Sequence, residues 1–171
     1  MKLTPHAIMK LINQISEKKL LLIVQEREES VVEEIAGQQP FQTSYDYSTT
    51  RALFKKYDDQ IFHLRSALNS NNATDVIAEI GMTASEALVR IALLSEEKAR
   101  LSNLAATSQR CQIPSSQIRD SSVAVYRVAR YQVEQARKDL QSVNSSIVEL
   151  QTALDKHNLL TEIEVDINLD F

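Results

Sequence analysis

Between Tyr126 and Leu154 apolar residues recur at alternating spacings of three and four: Tyr126, Ala129, Val133, Ala136, Leu140, Val143, Ile147, Leu150 and Leu154. A strand cannot present such a row on one side, because its side chains alternate with a period of two. A helix stacks every third and fourth residue along one face. Sustained over four heptads, the row predicts a helix across about 122–158 with a coiled-coil-like seam. Tyr126, Val133, Leu140, Ile147 and Leu154 then form a candidate association seam.

The rest of the chain is punctuated in the same helical manner. Its two glycines (Gly37, Gly81) and three prolines (Pro5, Pro40, Pro114) all stand at the edges of periodic stretches. Thr4-Pro5 reads as a cap followed by the proline favoured in a first turn, and Ile8, Leu11, Ile12, Ile15 and Leu22 continue a helix over about 5–36. The acidic run Glu26–Glu34 fits poorly at the negative end of that helix, which points to fraying or a basic partner there. Residues 37–48, with Phe41, Tyr45 and Tyr47, lack a helical period and predict a structured loop. Phe54, Tyr57, Ile61, Leu64 and Leu68 give a second helix over about 50–68, ended by Asn69-Ser70-Asn71-Asn72. Thr83-Ala84-Ser85-Glu86 is a capping box opening a third helix over about 84–106, and Thr107–Ser121 reads as a second loop. Ile163, Val165, Ile167, Leu169 and Phe171 alternate with polar residues, predicting a strand over 162–171. That strand would pair with Met1-Lys2-Leu3 or with another subunit; an unstructured tail is the alternative. The expected architecture is therefore a single all-α domain over 1–171: a long antiparallel helical bundle, coiled-coil-like, with a short C-terminal β-strand.

Composition narrows the function classes. The longest apolar run, Leu20-Leu21-Leu22-Ile23-Val24, is far short of the roughly 20 residues that cross a bilayer, so no membrane span is expected. A single cysteine, Cys111, and no charged-then-apolar opening predict a reducing, cytoplasmic setting. The net charge of −4 argues against a dedicated nucleic-acid binder. Charge is nevertheless uneven. Arg119, Arg127, Arg130, Arg137 and Lys138 outnumber Asp120 and Glu134, while the stretch from Glu149 onward is acidic. On a helix the basic residues form a candidate anion-binding stripe, with Tyr131 placed to stack on a base. The competing and favoured reading is that the stripe docks on the acidic end of the first helix, in the same or a second copy.

Catalytic and metal chemistry have little support. His6, His63 and His157 are scattered, and no phosphate-cradling or nucleophile motif occurs, so neither a catalytic residue, a metal nor a cofactor is assigned. Asp59 and His63, four apart on a helix, read as a solvated pair. His157 falls on the next seam position and reads as a packed core histidine. Cys111, beside Arg110, reads as an ordinary loop thiol.

Several short motifs carry a resemblance. They are the opening Met1-Lys2-Leu3, the run Ile61-Phe62-His63-Leu64-Arg65-Ser66-Ala67-Leu68-Asn69-Ser70-Asn71, Gly81-Met82-Thr83, Gln117-Ile118-Arg119 and Asp155-Lys156-His157-Asn158. With these the chain resembles the septicolysin-like, or diphtheria-bacterium hypothetical-protein, family of small helical bacterial proteins. It departs from that pattern in its first loop, where an acidic stretch with glycine and proline is expected, and at Leu159, where tryptophan is expected. The resemblance implies long antiparallel helix pairs and oligomerisation, transfers no catalytic residue, and by its name implies membrane activity, for which Leu11–Val24 is the one candidate stretch.

The leading expectation is a non-enzymatic structural or protein-interaction module, homo-oligomeric, that self-associates through its long helices. The alternatives are binding of nucleic acid or an anionic surface by the basic face, and a membrane-active, cytolysin-like protein.

Overall fold

A computed structural model describes residues 1–33, 36–37, 44–114 and 124–167. Among them run β1 (Lys2–Leu3), α1 (Pro5–Glu29), α2 (Tyr47–Thr74), β2 (Val76–Ile77), β3 (Met82–Thr83), α3 (Ala84–Ala105), β4 (Arg110–Gln112), β5 (Tyr126–Val128), α4 (Val133–Leu160) and β6 (Ile163–Glu164). Over the described residues the chain is mostly helical with three two-stranded antiparallel pieces of sheet, β1–β6, β2–β3 and β4–β5. It divides into two compact units: Met1–Asp75 with Lys156–Phe171, and Val76–Asp155.

In the first unit Thr4 caps α1 as expected, its hydroxyl accepting from the Ala7 N–H at 3.2 Å. The helix stops at Glu29, well short of residue 36. Glu26, Glu28 and Glu29 crowd carboxylates at the negative end of the helix dipole, with Arg27 the one basic residue of the last turn. Helix α2 starts at Tyr47, earlier than the expected start near residue 50, because Asp46 supplies a cap, accepting from the Thr49 N–H at 2.7 Å. It also runs through Asn69–Asn72 to Thr74. Asparagine and serine weaken a helix without removing a backbone donor, so three asparagines and a serine need not end one. Helix α1 packs along α2, with Ile8, Ile12, Ile15 and Leu64 buried together with Ile163 and Val165 from the end of the chain. Those last two residues arrive by strand pairing. Lys2 and Leu3 oppose Glu164 and Ile163, and the ladder is extended by the Met1 amine donating to the Val165 carbonyl at 2.7 Å and the Val165 N–H donating back at 2.8 Å. The partner of the terminal strand is thus the chain's own Met1–Leu3. The strand itself is short, and residues 168–171 of the expected 162–171 lie outside the described residues.

In the second unit β2 and β3 close a tight hairpin around Gly81, whose φ of +64° is the left-handed conformation that glycine adopts without steric cost. Thr83 and Glu86 then form the expected capping box at the start of α3. Two clusters join α3 to α4. Ala84 and Ala87 meet Ala153 and Leu154, with Ile77 over them. Further along, Leu94 meets Ile147 and Leu150. The pairings make the two helices antiparallel.

The fourth helix requires a correction. It begins at Val133, not near 122, and Tyr126–Val128 form a strand paired with Arg110–Gln112. Spacings of three and four continue through Tyr126 and Ala129, but Val125, Tyr126 and Val128 are the β-branched and aromatic residues that a pleated surface favours. The segment also has a strand partner in register. Gln109 fixes the boundary, since its side-chain oxygen accepts the Val133 N–H at 3.1 Å and so satisfies a donor at the head of α4.

Candidate functional site

The seam of α4 is largely used inside the chain. Val133, Ile147 and Leu154 are buried and Leu140 is half-buried, whereas Tyr126 stands exposed on β5 rather than on the helix. Ile147 and Leu154 lie in the clusters shared with α3. A side chain already buried this way has no surface left for a second copy.

Among the exposed apolar residues, two groups of neighbours stand out, on α1 and on α3. At 100° per residue, Ile23 stands at the border of the buried row Ile8, Ile12 and Ile15, while Leu20, Val24 and Leu21 fall within about 100° of arc on α1, turned away from that row. Their exposures are 45%, 60%, 45% and 70%. On α3, Leu88, Ala92, Val89 and Leu93 fall within about 140° of arc, opposite Ala87, Ile91 and Leu94. Val89 and Leu93 join Ser85, Glu86 and Arg90 in lining an open, predominantly apolar groove of about 340 Å³. Periodicity along the seam drew attention to the inward face of α4. The outward faces were readable as the second apolar row on helices that already have one.

The basic residues are not one helical stripe. Arg127 lies on β5, Arg130 in the turn after it, and Arg137 and Lys138 on the first turns of α4; Arg119 lies outside the described residues. Arg137 is held locally, its Nε donating to the Ala105 carbonyl at 3.2 Å and a terminal nitrogen pairing with Glu134. At the acidic end of α1, Glu26 accepts from the Tyr45 hydroxyl at 2.9 Å. Loss of hydration, and then the Glu26 carboxylate, hold the Tyr45 pKa above its usual value.

The β4–β5 ribbon is exposed on all six residues. A two-stranded ribbon is marginal alone in water, so its base must be fixed. The Gln109 side-chain amide donates to the carbonyls of Ala129 and Tyr131 at 3.3 and 3.0 Å, and the Tyr131 hydroxyl donates to the Leu104 carbonyl at 2.9 Å. On one face of the ribbon the Arg110 guanidinium sits 4.0 Å from the centroid of the Tyr126 ring, a cation–π contact. On the other face Cys111 opposes Arg127. Sequence placed Arg110 only as a neighbour of Cys111; its role beside Tyr126 depended on the strand pairing.

The histidines divide by burial. His157 is buried, with Nδ1 3.0 Å from the Thr161 hydroxyl and Nε2 3.5 Å from the Asn71 amide and 3.9 Å from the Asp75 carboxylate. This is the packed core histidine expected from its seam position. His63 is exposed beside Phe62 and shares an open groove with Asp59, Gln60 and Asp166. Among the described residues no group of three or more His, Cys, Asp and Glu could hold a metal ion, and no helix is long and apolar enough to cross a membrane.

No family model matches the chain, and no curated protein matches it. A solved structure does: the crystal structure of a functionally unknown conserved protein from Corynebacterium diphtheriae, 18% identical, with a TM-score of 0.60 over 96% of this chain and 100% of that one. At that identity the likeness concerns the fold alone, so this chain is similar in fold to that bacterial protein.

Proposed function

We propose that this chain is a cytoplasmic, non-enzymatic protein-interaction module that self-associates through the outer apolar faces of its helices rather than through the α4 seam. The observation that carries the reading is the α1 face, where Leu20, Leu21, Ile23 and Val24 stand side by side in water. Single exposed apolar residues are ordinary, whereas a contiguous helical face of them is what helix-to-helix recognition uses. The α3 face of Leu88, Val89 and Leu93 offers a second surface of the same kind.

The test is absolute mass by light scattering across a concentration range, for wild type and for two double variants, Leu20→Glu with Val24→Glu, and Leu88→Glu with Leu93→Glu. An oligomer that the α1 variant converts into folded monomers is the expected result. A wild-type monomer at every concentration would overturn the reading. An oligomer lost only in the α3 variant would move the interface there.

A further inference from the structure

The β4–β5 ribbon has an edge whose chemistry can be read residue by residue. The Ala129 N–H donates to the Gln109 carbonyl at 3.0 Å and the Ile113 N–H to the Val125 carbonyl at 2.9 Å. With Cys111 opposite Arg127, the alternation of an antiparallel ladder makes 109 with 129, 111 with 127, and 113 with 125 the hydrogen-bonded pairs. Tyr126 and Val128 are therefore non-hydrogen-bonded positions, and their N–H and C=O groups point away from β4, along an edge of β5 that no strand among the described residues pairs with. On that edge the side chains divide by face: Tyr126 and Val128 on one, Arg127 on the other. Arg130 follows one turn beyond. Residues 108–114 and 124–132 contain no aspartate or glutamate, so the ribbon is purely basic. The edge of β4 is the poorer one, because its continuation reaches Pro114, which has no N–H to offer.

We propose that the β5 edge is a docking site for an acidic peptide that adds as a third, extended strand. The face pattern specifies its sequence class: acidic residues alternating with apolar ones, carboxylates beside Arg127 and apolar side chains beside Tyr126 and Val128. Main-chain ladder bonds supply affinity in such complexes and the alternating side chains supply selectivity. The Arg110 guanidinium stacked on Tyr126 holds the ring against the ribbon, so the apolar side of the edge is already ordered before the peptide arrives. Like charges set Arg127 of one copy against Arg127 of another, which opposes edge-to-edge pairing of two ribbons and favours an acidic occupant. A nucleic acid would meet the arginines but has no peptide ladder to match the outward N–H and C=O groups. The site shares no residue with the helix faces of the self-association reading and stands or falls separately from it.

The experiment titrates the full chain with a fluorescent alternating glutamate–valine decapeptide at low salt, read by anisotropy. Binding is expected, weakening as salt screens the charges. Arg127→Glu should lower affinity on the order of tenfold or more while Arg127→Lys keeps most of it. Both variants change an exposed ribbon residue, and unchanged far-ultraviolet ellipticity verifies their fold. The same peptide N-methylated at alternate amides, on the side facing the protein, should lose binding, since charge is retained and the ladder is not. No binding of the parent peptide overturns the proposal. So does equal binding of this N-methylated peptide, or displacement of the parent peptide by a short oligothymidylate that binds more tightly.

Discussion

The two units bury their helices with different materials. In the first, three isoleucines of α1 and Leu64 of α2 interlock with Ile163 and Val165, and Ile8 and Leu64 are wholly inaccessible. In the second, the contact between α3 and α4 rests on three alanines with Leu154 and Ile77 at one end, and on Leu94, Ile147 and Leu150 further along. One unit thus concentrates large side chains in one cluster, while the other divides smaller ones between two. Burial energy scales with apolar area removed from water, so removing one large side chain from the concentrated cluster should cost more than removing one from the divided contact.

The sharpest way to break that comparison is a matched pair of truncations. Ile15→Ala, in a site about 1% exposed, should destabilise by about 4 kcal/mol, and Leu94→Ala, in a site about 8% exposed, by about 2–3 kcal/mol. Urea unfolding followed by ellipticity measures both, and a reversed order would refute the contrast. Next in size is overpacking. Ala87→Leu adds volume at a position with no exposure and should cost about 2 kcal/mol in the same assay. Smaller again is Tyr131→Phe, which removes the donor to the Leu104 carbonyl at the base of the ribbon and should cost about 1 kcal/mol.

The smallest effect sharpens the comparison through pH. Bonds from the Thr83 N–H and then its hydroxyl hold the Glu86 carboxyl below its ordinary pKa of 4.5, and the Thr49 side chain and N–H do the same for Asp46, whose ordinary value is 3.8. A carboxyl lowered on folding contributes stability that is complete above the unfolded pKa and is lost as pH falls through the folded one. Glu86→Gln should therefore flatten the acid limb of stability below about pH 4.5 in the second unit. Asp46→Asn should do so below about pH 3.8 in the first. Midpoints measured at stepped acidic pH check both, and an unchanged slope would count against the caps.

Much of this architecture could be read from local chemistry. Thr4, Pro5, Thr83 and Glu86 announced two helix starts because capping is decided within four residues. The alternating tail announced a strand for the same reason, although its partner, Met1–Leu3, sits at the other end of the chain. The start of α4 was misread because Tyr126 and Ala129 fit a helical period and a strand equally well over so short a stretch. Only the distant segment around Gln109, with its hydrogen bonds to Ala129, Tyr131 and Val133, decides between them. For the candidate sites the same limit applies. Arg127 and Arg130 were singled out by charge, but the stack of Arg110 on Tyr126 and the outward edge of β5 arise from a pairing that no local pattern encodes.

Helices α3 and α4 run antiparallel and pass, at the end where Arg137 reaches the Ala105 carbonyl, into the paired strands β4 and β5. Such a hairpin behaves as a ruler. Inserting one heptad into α3 and one at the matching level of α4 would carry the ribbon outward by about 10 Å and return every facing pair to its partner. An insertion into either helix alone would throw the two sides out of step, so the reach of the ribbon is a length that can change only by paired increments.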